Sequence, residues 1–441
     1  MRRVTVSFVY YVNLHPISFG NKFMKIRTFF LIGSLGIMIS SCSHDNNPDD
    51  PGKDSQEIYV DLSKDELANC YIVQSPGKYK FTADNQFNLG EGLPVPPEIK
   101  PTKAGLVWQT EFGSINEVNL SFENEKPYVT FEVDNVVGNA VIAVYNEAGK
   151  IEWSWHIWMP QEEVESFLSS TGYEVMNMNL GAMNNIPGDP LSYGMLYQWG
   201  RKDPFPASAT LTGTTQTISA PMYDITGNAV VIENSDWGSM NNNTLEYAIS
   251  HPTVCLSNYA QYANSRDWLV SSRSDDSLWG NPDGNSKDVS SNNYPNKGRK
   301  TCYDPSPAGW RVPPVDVFRN FTNSGGYAWT FDEFNVEDVN KDGNIDLDDY
   351  NYGWFFNLND NASMYFPAAA RFDGSYAMLM GSMSGLWGNY WSNAPYEGMK
   401  GGAISVLAFQ VKDQYGNEMI TVSPSAASSR ADAFSIRCIR D

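Results

Sequence analysis

The nonapeptide Ile151–Met159, IEWSWHIWM, constrains the fold more than any other stretch of the chain. Successive side chains of a β-strand point to opposite faces. Ile151, Trp153, Trp155, Ile157 and Met159 therefore share one face, and Glu152, Ser154, His156 and Trp158 share the other. The first face is expected in a core and the second in water. The preceding run NAVIAVYN (139–146) is joined to it by EAGK (147–150), in which Gly149 suits the left-handed position of a hairpin turn. PYVTFEV (127–133) is a further strand, and LPVPPEIKPTKAG (93–105) is too rich in proline for a central one. Aromatic residues make up 13% of the chain beside 35 Gly and 25 Pro, which favours turn-rich β structure over a helical bundle. The pattern predicts a β-sandwich over residues 57–160. PQEEVESFLSSTG (160–172), with acidic residues in its first turn, is expected to close it as a short helix.

The segment MKIRTFFLIGSLGIMISSC (24–42) reads as an export signal. Lys25 and Arg27 precede an apolar run, Phe29 to Ile39, that is too short for an ordinary membrane-spanning helix. Ile39-Ser40-Ser41-Cys42 resembles a bacterial lipoprotein box, so Cys42 is the expected lipidation site and Met24 the expected start. Residues 1–41 then form an upstream segment and signal peptide. Residues 42–56 form an acylated cysteine and a disordered acidic spacer, SHDNNPDDPGKDSQ. Acidic residues soon after such a cysteine resemble the surface-export signal of Bacteroidetes lipoproteins. The implied location is the outer membrane, lipid-anchored and exposed at the cell surface.

The formal net charge of −21 argues against a nucleic-acid partner and against direct attraction to anionic lipid, and leaves divalent cations open. The loop DVNKDGNIDLDD (338–349) has the spacing of a calcium loop. Asp338, Asn340, Asp342, Asp346 and Asp349 stand at positions 1, 3, 5, 9 and 12, Asn344 offers its carbonyl at position 7, and Gly343 permits the sharp turn at position 6. A hard cation needs six to eight oxygens, and alternate side chains of a tight loop supply them. Asp in place of Glu at position 12 resembles dockerin-type loops and implies modest affinity. Those modules use paired loops; only one is found here, so a structural Ca2+ that clips an insertion at about 331–352 is expected.

Nothing in the sequence pairs His156 or His251 with a nucleophile, and His156 is expected on the wet face of its strand. The cysteines beyond Cys42 are Cys70, Cys255, Cys302 and Cys438, which allow three pairings. No C-x-x-C occurs among them.

The phrases MNMNLGA (176–182), YGMLYQWGRKDPF (193–205), YDPSPAGWRVP (303–313), YFPAAARFDG (365–374), YWSNAP (390–395) and AFSIRCIRD (433–441) resemble, in order and content, the Fibrobacter succinogenes major paralogous domain. ANCYIVQSPGKYKF (68–81) and GNAVIAVYNEAGKIEWSWHIW (138–158) resemble the sandwich that precedes it in fimbrillin-like proteins. The implied fold is mainly β with α+β: an N-terminal β-sandwich followed, over 161–441, by a C-type-lectin-like α+β domain. In that fold Pro314 starts a helix that buries Val317, Phe318 and Phe321, GGAISVLAFQV (401–411) is a central strand, and the chain ends lie side by side. That arrangement brings Cys438 near Cys302 and implies a Cys302–Cys438 disulfide. Two departures stand out. Asn177 and Met178 replace an Asp-Arg pair, and Ser306 stands where the family has Cys.

The resemblance implies a non-enzymatic, adhesive or ligand-binding surface lipoprotein whose ligand is a glycan or protein. The alternatives are a structural anchor, a component of a fimbria-like assembly, or an enzyme of the formylglycine-generating kind that shares the broad fold. The calcium-sharing triplets of sugar-binding C-type lectins are absent, and Trp387 and Trp391 are expected in the core.

Overall fold

The computed structural model describes residues 58–134, 137–211, 219–235, 243–257, 267–269, 275–287, 298–396 and 403–441. The signal segment, Cys42 and the acidic spacer lie outside the described residues. The protein is mainly β, with 39% strand against 8% helix. Glu57–Asp441 forms one compact unit.

The hydrophobic periodicity of the first hundred described residues builds two facing sheets. One is four-stranded, in the order Val60–Asp61, Gly77–Thr82, Lys126–Val133, Ile115–Glu123. The other is six-stranded: Ala229–Val230, Met222–Tyr223, Lys103–Gln109, Gly138–Tyr145, Ile151–Met159, Cys70–Ile72. The hairpin between 138–145 and 151–159 is antiparallel, and Gly149 has φ +76° at its turn. Between the sheets, Phe81 lies 5.0 Å from Trp155 and 5.1 Å from Tyr71, ring centre to ring centre. The wide sheet draws its last two strands from beyond residue 200.

That recruitment explains why the face of Ile151–Met159 expected in water is not there. Ser154, His156 and Trp158 are all buried, because the downstream chain covers them. Trp158 Nε1 donates to Ala182 O at 2.7 Å. Ser154 Oγ donates to Asp203 Oδ1 at 2.6 Å, and Lys202 Nζ donates to both. One continuous core runs from Ala68 through Trp155 to Trp279 and Cys438. The short helix expected over 160–172 is also absent. Ser166–Leu168 is a strand paired antiparallel with Glu174–Met176, and Asn177 holds the approach, its Oδ1 accepting from Glu165 N and its Nδ2 donating to Glu163 O. Long-range pairing overrides a weak local helical preference.

Downstream, Ala403–Lys412 is the centre of a three-stranded sheet between Trp387–Pro395 and Glu418–Ser429, as its apolar content predicts. Val406, Leu407, Phe409 and Val411 are buried. Pro314 caps a 3₁₀ helix, Val315–Phe321, rather than starting an α-helix, and Val317, Phe318 and Phe321 are buried. Phe321 stacks on Phe356 at 4.2 Å in a second core beneath the three-stranded sheet. The final strand, Ile439–Arg440, pairs with Val175 on one side and with Trp310–Arg311 on the other. Glu174–Met176, near the start of the downstream half, and the end of the chain therefore lie side by side.

Candidate functional site: the 338–349 loop and the buried polar groups

The 338–349 loop is held at both ends before any ligand is considered. Phe331, Phe334 and Tyr350 surround the buried ring of Trp354, at 6.3, 5.9 and 4.9 Å. Val336 bridges to Phe356, and Ile345 leans on the same core from within the loop. Lys341 and Gly343 adopt φ of 62° and 93°, which lets the chain reverse over very few residues.

The loop curls around its own carboxylates. Asp338 Oδ1 accepts from the N–H of Lys341 and Asp342, and its Oδ2 accepts from Gly343. Asn340 Oδ1 accepts from Asp342 N, Asp342 Oδ1 from Asn344 N, and Asp346 Oδ1 from Asp348 N. Asp349 is the hub: it is buried, its Oδ1 accepts from Val339 and Asn340, and its Oδ2 accepts from Asp346. The paired contacts of Asp346 and Asp349 also cap the 3₁₀ turn Leu347–Asp349.

All six candidate ligands are oxygen donors on one loop, which fits a hard cation by chemistry. Their side chains do not converge as a cage does. Among the described residues no three His, Cys, Asp or Glu side chains gather closely enough to hold a metal. Asp338 Oδ1 and Asp349 Oδ1 already accept two N–H groups each, so a cation bound there would displace some of the present hydrogen bonds.

His156 sits in a closed network. Its Nε2 donates to Asn139 Oδ1 at 2.8 Å, while Tyr197 OH lies 3.2 Å from Nδ1. Asn139 Nδ2 donates to Gly181 O, which fixes the amide orientation and hence the imidazole tautomer. Burial pushes the imidazole pKa down to about 3, so the ring is neutral at physiological pH. His251 is half-buried, with its ring stacked 3.8 Å from that of Tyr247.

The expected Cys302–Cys438 disulfide is not formed. Cys70, Cys255, Cys302 and Cys438 are all free and buried. Cys438 does approach the 302–311 segment, but the side chain it meets is Ser306: Cys438 Sγ lies 3.3 Å from Ser306 Oγ. Cys302 Sγ points elsewhere, to Pro94 O at 3.6 Å. Burial pushes the Cys302 and Cys438 thiols up to about 12, which keeps them protonated and unreactive.

Arg437 is a buried cation satisfied mainly by backbone carbonyls. It is fully buried, and its guanidinium donates to the carbonyls of Met176, Asn177 and Tyr365 and to Asn179 Oδ1. Burial lowers its pKa to about 10, with Tyr390 acting in the opposite direction.

Comparison of the chain with family models, with curated proteins and with solved structures returns no match. Among the described residues, no helix is long and apolar enough to cross a membrane.

The two tryptophans of LWGNYWSN part company. Trp391 is fully buried, whereas Trp387, four residues earlier on the same face of its strand, is half-buried, so its expected place in the core is corrected. The period of two does not separate them: Trp387, Asn389 and Trp391 share one face, and Trp391 is buried because Phe434 and the Tyr197 backbone cover it from elsewhere in the chain.

Proposed function

We propose that this chain is a lipid-anchored, non-enzymatic protein of the bacterial outer-membrane surface that binds a glycan or protein ligand, with Ca2+ holding the 338–349 loop in shape. The observation that carries the reading is the apolar run ending in Ile39-Ser40-Ser41-Cys42 and followed at once by an acidic spacer. Two or more acyl chains on Cys42 give a stable anchor where one is marginal. A C-type-lectin-like arrangement is supported by the last strand lying between Glu174–Met176 and Trp310–Arg311. Asp338, Asn340, Asp342, Asp346, Asp349 and the Asn344 carbonyl would hold the cation. Because aromatic contacts already fix the loop ends, the cation's work falls on the exposed turn between them.

Two measurements test this. Fatty-acid labelling of cells expressing the chain should mark the wild type and not Cys42→Ser, and protease added to intact cells should remove the protein. An unlabelled wild type, or one shielded until the outer membrane is broken, overturns the anchor and its location. For calcium, dissociation constants of about 10⁻⁴ to 10⁻³ M and about 10 mM cation stabilise the fold by roughly 1.4–2.7 kcal/mol. The thermal midpoint should rise with Ca2+, fall back with chelator, and stay flat in Asp342→Asn/Asp346→Asn. A wild type indifferent to Ca2+ overturns the metal assignment.

A further inference from the structure

The three-stranded sheet buries one face throughout; the other is covered by the first core at its Trp391–Val406 end and opens at its Trp387 end. Tyr390, Leu407, Phe409 and Val422 enter the second core. On the opposite face the register lines up side chains in rows across the strands. Trp387 stands opposite Gln410, and Gln410 opposite Thr421; Asn389 stands opposite Ala408, and Ala408 opposite Ser423. Ala328 extends the sheet by an antiparallel bridge to Val422. Ala328 is buried, so its neighbours Tyr327 and Trp329 fall on the open face, where they are 54% and 70% exposed with ring centres 6.0 Å apart.

The side chains of these two rows, with Tyr327 and Tyr396, line a groove of about 410 Å³. Three properties define what it can take. First, its lining contains no Asp, Glu, Lys, Arg or His, on a chain whose formal net charge is −21. An ionic ligand finds no counter-charge in the lining itself, and Arg371, against the Trp387 ring, is paired with Asp373. Second, aromatic rings stand at both sides: Trp387 is fixed by Nε1 donating to Lys412 O at 2.6 Å and by the Arg371 guanidinium 5.4 Å from its ring centre, with Tyr327 across the sheet. Third, the side chains of Asn389, Gln410, Thr421 and Ser423 make no hydrogen bond to protein among the described residues. They offer donors and acceptors side by side, as carboxamides and hydroxyls do. Strand spacing of about 4.8 Å puts Trp387 and the 327–329 segment about 14 Å apart over three intervals.

We infer that this open face is a binding groove for a neutral oligosaccharide, with Trp387 and Tyr327 stacking on sugar faces and Asn389, Gln410, Thr421 and Ser423 bonding hydroxyls. Vicinal hydroxyls each donate and accept, which matches the carboxamide pair. A proline-rich peptide, the other ligand that aromatic grooves take, offers carbonyl acceptors and few donors, and would leave the acceptor half of the row unmatched. The site makes no use of the 338–349 carboxylates, so binding is independent of Ca2+. The inference rests on the reading of the chain as a ligand binder and names its site and ligand class.

The test uses the detergent-solubilised full chain and neutral hexaoses of glucose, mannose, xylose and N-acetylglucosamine, followed by tryptophan fluorescence and calorimetry, with chelator present. At least one hexaose should bind, with little change between low and high salt. Tyr327→Ala and Gln410→Ala, both at the open face, should keep the thermal midpoint and weaken binding roughly three- to tenfold each; Trp387→Ala should weaken it further. Failure of all four hexaoses overturns the groove assignment, as does a polyproline peptide that binds in their place. Hexaose binding that ignores all three substitutions also overturns it, while leaving the reading of the chain as a ligand binder standing. Surface labelling at Cys42 is unaffected by any of these outcomes, so the two readings fail separately.

Discussion

Ser306→Cys should close a disulfide to Cys438 and stabilise the fold. The Sγ of Cys438 already lies 3.3 Å from Ser306 Oγ, and both residues are fully buried. A thiol at 306 in the same rotamer would need only a small approach. The bridge would enclose the chain between residues 306 and 438, a loop of roughly 130 residues, for which chain-entropy arguments give at most about 5 kcal/mol. Against this stands the loss of the Ser306 hydroxyl, which opposes the upward push that burial gives the Asp304 carboxyl. Losing a hydrogen bond to a charged group costs about 1.5–3 kcal/mol, so the net gain should be about 2–3 kcal/mol. For roughly 385 folded residues the unfolding entropy is about 0.8 kcal/mol/K, and the midpoint should rise by about 3–4 °C. The assay is refolding with oxidised glutathione, intact mass with and without reductant, and thermal scans of both forms. Ser306→Ala isolates the hydroxyl loss and should be less stable than wild type. Ser306→Cys/Cys438→Ser should show no reductant-sensitive gain. Folded Ser306→Cys protein with both thiols free, or with the introduced thiol joined to Cys70, would refute the geometry.

Three further outcomes follow from the buried polar groups. His156 has a folded pKa of about 3 against about 6.5 unfolded, so the unfolded chain binds the extra proton between those values. The stability it confers is complete above pH 6.5 and is lost as pH falls toward 3, by at most about 1.4 kcal/mol per pH unit. Denaturant midpoints of His156→Gln should fall less steeply than wild type across that window, and parallel curves would refute the assignment. Lys202→Met leaves the Asp203 carboxylate buried without its cation and should cost about 3–5 kcal/mol, most of which Lys202→Met/Asp203→Leu should restore. Equal stabilities of single and double variants in urea would show that the pair is not coupled. Trp391 is fully buried, with its ring centre 4.4 Å from that of Phe434 and its Nε1 donating to Tyr197 O. Trp391→Ala should therefore lose about 3–5 kcal/mol in urea titrations; a loss below about 1 kcal/mol would contradict that environment.

Where the periodicity was strong, the elements were legible. The strands at 126–133, 138–145, 151–159 and 403–412, the Gly149 hairpin turn and the burial of Val317, Phe318 and Phe321 all follow from local pattern. The segment 160–172 misled, because its acidic residues fit a helix start while its real partner, Glu174–Met176, is a strand whose pairing no local count reveals. The 338–349 loop was legible as a chain of alternating oxygen donors. That those donors do not converge as a cage was not legible, because side-chain direction depends on which amide each carboxylate accepts from.

The sequence by itself determined that this is a strand-built protein with one side of each strand turned to a core, since a period of two and the turn residues act over a few positions. Only the tertiary structure decided what met the other side. It buried Ser154, His156 and Trp158 under the downstream half of the chain. It set Ser306 rather than Cys302 against Cys438. It left Trp387, Asn389 and Gln410 facing an open groove. In each case the deciding partner lies tens to hundreds of residues away, and burial is a property of the assembled surface that no local run encodes.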